Sequence, residues 1–171
     1  PLGIYVIIEQ VDQRFVENHF GEASKDSLLM KPEVAEWKYL GDDPAEYASY
    51  EIKSGEENVE QIKRFAELLR LMEDAPDDVF EKEIGARIDL PQLAGYLAAT
   101  SLLSSVDSYI GMPHNYYLVL DKADGKLRML PWDVNEGFGT FTMGSSPEQL
   151  VDWDIDRPWV ADRPLLERLF A

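Results

Sequence analysis

Cysteine is missing altogether from the 171 residues, which removes disulfides, zinc thiolate sites and thiol nucleophiles. No run of 18 apolar residues occurs either, so no helical membrane span is expected. Basic residues are in deficit: 16 Lys and Arg stand against 33 Asp and Glu, a formal net charge of −17. A surface that acidic repels nucleic acid and anionic lipid, because phosphate contacts depend on Lys and Arg. It tolerates metal ions and basic partners, although a soluble, self-repelling surface is the plainer reading of the charge. There is no internal repeat and no low-complexity tract. The first residues lack the charged and apolar regions of a leader peptide and read as the middle of a strand. The last ones stop inside a helical pattern, so both ends read as cuts. What is present, 45% hydrophobic and 11% aromatic residues, suffices for one domain with a core.

Periodicity organises the chain. Residues 3–9 are β-branched and aromatic with little alternation, which predicts a strand buried on both faces. Val11, Phe15, Val16 and Phe20 then recur at helical spacing, with Asp12 as N-cap and Gly21 as stop. Residues 27–31 predict a short strand, and Gly41 to Pro44 a turn. An apolar stripe of Val59, Ile62, Phe65, Ala66, Leu69 and Met72 predicts a helix from Glu57 to Met72. A second is expected over Val79–Ile84. A third, over about 91–104 behind Asp89 as N-cap, is apolar nearly all round and is expected at the centre of the domain. Tyr116–Leu120 and Leu127–Leu130 read as a hairpin turning at Asp124-Gly125, and a last helix is expected from Pro164.

The order from 91 to 139 carries the chemistry: apolar helix, loop with Asp and Asn, hairpin, then Asp before a glycine-rich exit. Protein kinases use such an arrangement, with a loop Asp receiving the hydroxyl proton, an Asn binding magnesium, and a later Asp bridging the phosphates through metal. Here the loop pair is Asp107 and Asn115, and Asp133 follows the hairpin. A hairpin returns on itself, so Asn115 and Asp133 can meet despite their separation. Two oxygen ligands plus substrate phosphates suit magnesium. The opening strand and helix would then receive adenine through backbone groups near Glu9 to Val11.

Four segments resemble the CotH-type spore-coat kinase family: GIYVIIEQVD at 3–12, Val106-Asp107 with HNYY at 114–117, PWDVN at 131–135, and RPLLERLF at 163–170. The resemblance implies an α+β, atypical protein-kinase-like fold, mainly hinge and large lobe, with the N-terminal lobe truncated. It implies ATP and magnesium as cofactors and a protein substrate with a serine acceptor, at the extracellular, cell or spore surface. The chain then divides into a hinge strand and helix (1–21), a helical part (57–104), catalytic and metal-binding loops (105–139) and a C-terminal extension (140–171) of a single domain. Asp107 is the expected base, with Asn115, Asp133 and Asn135 for metal and Glu9, Val11 and Lys31 for nucleotide. Two departures matter. Asn135 stands where the family often has a second acid, so it offers metal an uncharged oxygen. Ser105 stands where Asn is common. The strands expected to carry a phosphate-binding lysine are absent upstream, so this stretch alone is expected to be inactive.

Each residue also has a plainer reading. Asp107 could be a turn aspartate, Asn115 a loop asparagine, Lys31 a solvated lysine, and Glu9 only the end of a strand. Asp133 follows an apolar strand and Trp132, so its carboxylate is expected to be partly buried and to need a partner such as metal. His114 and His19 read as structural. Beside the active kinase stands a catalytically impaired kinase-fold module for binding or adhesion, kept open by Asn135 and Ser105. A glycosidase with paired carboxylates ranks third.

Overall fold

Asp12 opens the first regular element of the chain as expected, its carboxylate accepting from the N–H groups of Arg14 and Phe15. Helix α1 (Gln13–Phe20) stops at Gly21, whose φ of 96° suits glycine alone. The computed structural model describes residues 3–33, 36–55, 58–160 and 162–171. Ahead of α1 the expected hinge strand does not form. Residues 3–10 lie outside the sheet and are exposed, Ile4 at 102% and Ile7 at 96%. β-Branched side chains favour extended backbone, but a strand exists only where a neighbour takes its hydrogen bonds. Among the described residues no strand does so here.

Four strands make one antiparallel sheet: β1 (Leu28–Met30), β2 (Ile52–Ser54), β3 (Tyr116–Leu120) and β4 (Leu127–Pro131), in the order β2-β1-β3-β4. β2, and the 3₁₀ turn Pro44–Tyr50 before it, have no counterpart in the sequence reading. The β3–β4 hairpin does. Tyr116 faces Pro131 and Leu120 faces Leu127 across it, and Gly125 takes the positive φ of the turn. β3 is buried along its whole length because the sheet is covered on both faces. Tyr116, Leu118 and Leu120 enter the main core, while Tyr117 and Val119 join Leu29, Val11 and Val16 under α1.

The main core is built on α2 (Val59–Asp74), eight of whose sixteen residues are buried. Its expected start at Glu57 lies outside the described residues. The C-terminal carbonyls of α2 are covered from the far end of the chain. Arg168 in α6 (Pro164–Leu169), the helix after the short α5 (Pro147–Val151), donates to the oxygens of Leu71, Met72 and Ala75 and to Asp77 at the start of α3 (Asp77–Arg87). Helix α4 (Leu90–Leu102) begins on its Asp89 cap but is not the central helix its composition suggests. Only Leu93, Tyr96, Leu97 and Thr100 are buried, and Leu102 is 84% exposed. The reason is side-chain size: alanine and glycine at 94, 95, 98 and 99 score as apolar yet present little surface that water must be kept from. α4 is tied to β4 by Gln92, whose amide pairs with both the N–H and the C=O of Met129.

One guanidinium joins α4 to the hairpin. Arg128 reaches Asp89 at 3.1 Å, Asp121 at 2.9 Å and Asp124 at 2.6 Å. Each carboxylate also accepts a backbone N–H, from Gln92, Ala123 and Lys126 in turn, but among the described residues Arg128 is the cation in ion-pair contact with all three. Arg128→Met should therefore lower stability at neutral pH by about 2–3 kcal/mol, since two acids would stay partly buried without a counter-ion. The bond from Arg128 holds the Asp124 carboxyl below its ordinary value of 3.8, so the stability it adds is complete above that value and is lost as pH falls through the folded-state value. Melting temperature followed from pH 6 down to pH 2 should fall more steeply in the wild type than in Arg128→Met, and parallel curves would count against the network.

Candidate active site

Loop 103–115, between α4 and β3, is closed on itself. Met112 N–H donates to Val106 O at 2.9 Å, Gly111 N–H to Ser108 O at 3.1 Å, and the Ser108 hydroxyl to Ser105 O. Val106 is fully buried, and its oxygen would lie 2.0 Å from a Cβ at position 111, so only glycine fits there. Beneath the loop lie Tyr96 and Tyr116, with the loop's own Tyr109 packed against them and Trp37 donating to the Tyr116 hydroxyl. Burial pushes the Tyr96 phenol up to about 12 and raises those of Tyr109 and Tyr116 as well, so this floor stays uncharged at physiological pH.

On this base Asp107 stands with 17% of its side chain exposed. The Asn115 amide nitrogen donates to Asp107 Oδ2 at 2.8 Å and to the Asp107 backbone oxygen at 3.0 Å. Neither partner can donate, so the nitrogen must face them, and Asn115 Oδ1 is left without a protein partner among the described residues. His114 Nε2 lies 3.0 Å from Asp107 Oδ1. Asn115 itself sits at φ +58°, a left-handed conformation that asparagine tolerates.

The hairpin brings the backbone just before Asp133 beside that of Asn115. Trp132 N–H donates to Asn115 O at 3.0 Å, which links the start of β3 to the end of β4. Asp133 follows, at φ +48°, ahead of a short 3₁₀ turn, Val134–Glu136. Its carboxylate is exposed and has no hydrogen bond or ion pair among the described residues. The expected partial burial is thus corrected: Asp133 lies two residues past the last pair of the hairpin, where no neighbouring strand covers it. Asn135 is exposed as well.

A cleft of about 620 Å³ opens between the segment leading into α1 and the end of β4, lined among others by Glu9, Val11, Trp132, Asp133 and Asn135. Asp107 and Asn115 are not among its lining residues. The backbone groups of Glu9, Gln10 and Val11 make no hydrogen bond among the described residues, while the Glu9 carboxylate is 2.9 Å from His19 Nε2. Lys31 is not in this cleft. It lines a neighbouring one of about 460 Å³ with Lys53 and Asp12, which shares Val11 and Trp132, and it lies 3.9 Å from Glu33. Among the described residues no group of three His, Asp or Glu side chains converges as a metal cage.

Sequence reasoning passed over two residues. His114 reads as structural, yet it touches the candidate base; its place beside Asn115 was the available signal. Trp132, set edge-on against Tyr117 at 5.4 Å, forms a wall of both clefts. No helix among the described residues is long and apolar enough to cross a membrane. No curated protein matches the chain. A family model described as CotH kinase protein matches residues 1–171. The chain belongs to the CotH kinase protein family.

Proposed function

We propose that this chain carries the phosphoryl-transfer site of an atypical protein kinase that moves the γ-phosphate of ATP to a serine of a protein substrate. The observation that carries the reading is the Asp107–Asn115 pair, in which one amide orients the carboxylate and keeps its own oxygen free. Asp107 would take the proton of the attacking hydroxyl. Asn115 holds one oxygen of its carboxylate and His114 Nε2 lies 3.0 Å from the other, which narrows where the hydroxyl can sit.

Asn115 Oδ1 and the Asp133 carboxylate are two hard oxygen donors joined through the Trp132–Asn115 backbone bond, and Asn135 offers a third. That set fits magnesium, which takes few protein ligands beside phosphate oxygens and water. Magnesium bound there would offset the charge of the transferred phosphoryl group. The unpaired backbone of residues 9–11 suits the edge of adenine, and Glu9 the ribose, in a cleft whose volume falls in the range usual for small-molecule sites. By the habit of the family, the setting would be outside the cell or on a cell or spore surface.

A second reading, a kinase-fold module that binds without turnover, is favoured by Lys31, which lies outside the main cleft and beside Glu33, and by the uncharged Asn135. Full-length protein incubated with γ-labelled ATP and a serine-rich acceptor decides between them. Magnesium-dependent labelling of serine, abolished by EDTA and restored by added magnesium, is the expected result. Nucleotide binding without any labelling would favour the second reading.

A further inference from the structure

Taking the kinase reading as its premise, we infer that Arg163 is a positioning residue for the transfer step, holding the Asp107 loop in place from the far end of the chain. Its side chain is 1% exposed, yet it makes no ion pair among the described residues. Nε donates to Tyr109 O at 2.8 Å, Nη2 to Gly111 O at 2.8 Å, and Nη1 to the adjacent Asp162 O at 3.0 Å. Val160 N–H takes the carbonyl between the first two, Ile110 O, at 3.0 Å. Three successive carbonyls of the loop, 109 to 111, are therefore held by one short segment fifty residues away in sequence.

A guanidinium without a carboxylate is costly to bury. A stability role alone would be served as well by an apolar side chain in that space. What arginine adds is a planar fork of donors that fixes two carbonyls at a set separation, which a lysine ammonium cannot do. The clamped residues lie just after Asp107, on the strand of loop that Gly111 allows to pass within contact of Val106. On the other side Asn115 holds Asp107 directly. The loop that carries Asp107 is thereby held from both directions, by its own hairpin and by the entry to α6. Loss of the clamp should move the base relative to the acceptor hydroxyl while leaving the cleft between Glu9 and Asn135 untouched, since none of Val160, Asp162 and Arg163 lines it.

The test is steady-state transfer by full-length wild type, Arg163→Met and Arg163→Lys, together with amide hydrogen exchange. Arg163→Met should lower kcat at least about tenfold with KM for ATP nearly unchanged, because a small misplacement of a reacting group is expensive. Arg163→Lys should fall between the two. Adding Arg163→Met to Asp107→Asn should cost nothing further, as expected for a residue acting through Asp107. Exchange should quicken at residues 106–112 and remain slow in the β3–β4 hairpin. Wild-type kcat in Arg163→Met, a matching rise in KM, additivity with Asp107→Asn, or protection lost equally in hairpin and loop would each overturn the proposal. If the wild type itself transfers no phosphate, the kinase reading fails by itself. The exchange measurement then decides alone, and unchanged protection of 106–112 in Arg163→Met would end the clamp.

Discussion

Asp133→Ala in the full-length protein is expected to abolish ATP-dependent phosphorylation, and Asp107→Asn to keep nucleotide binding while lowering kcat by about 10²–10⁴-fold. The contrast follows from what each carboxylate touches. Asp133 has no protein partner among the described residues and lines the cleft between Glu9 and Asn135. Its loss would leave magnesium with uncharged amide oxygens, and the phosphate charge uncompensated. Asp107 lies outside that lining, bonded to Asn115 and close to His114. An amide of the same shape at 107 preserves the loop but cannot accept the serine proton. Calorimetric titration with ATP and magnesium, run beside phosphate incorporation, separates the two. Asp107→Asn losing ATP affinity as fully as Asp133→Ala would contradict the division of labour. Normal labelling by both variants would remove the site assignment altogether.

Gly111→Ala is expected to lower stability by roughly 4 kcal/mol or more, near the upper end for a single substitution. Backbone strain is not the cause, because Gly111 has no positive φ. The cause is contact: the added Cβ would meet Val106 O at 2.0 Å and the Val106 carbonyl carbon at 2.8 Å, both backbone atoms of a fully buried residue. Neither can rotate away, so the loop must open. Opening breaks the Met112–Val106 bond and draws Gly111 O from Arg163, leaving a buried guanidinium short of a partner. Urea unfolding of Gly111→Ala against wild type measures the loss, and a change below about 1 kcal/mol would mean that the loop relaxes without cost. The same variant should lose transfer activity even where it remains folded, since Asp107 rides on the displaced loop.

Local signals were enough for α1, α2, α6 and the β3–β4 hairpin, because an N-cap, a stop glycine, an apolar stripe and an Asp124-Gly125 turn signal act over a few residues. They were also enough to propose Asp107, Asn115 and Asp133 in order, since a hairpin between two polar residues brings its ends together whatever else surrounds it. Strand β2 was not legible in the sequence, as three residues form a strand only when β1 is beside them. Residues 3–9 failed for the converse reason: a strong β pattern found no neighbour. α4 looked central because composition counts residue types and not the area they bury. The exposure of Asp133, the contact of His114 with Asp107, the place of Lys31 in a second cleft and the burial of Arg163 against carbonyls 109 and 111 all depend on chain segments distant in sequence. Those were decided by tertiary packing, because short-range propensity sets the direction of a backbone over a turn or two, while the partner of a side chain is whatever the fold brings within about 3 Å of it.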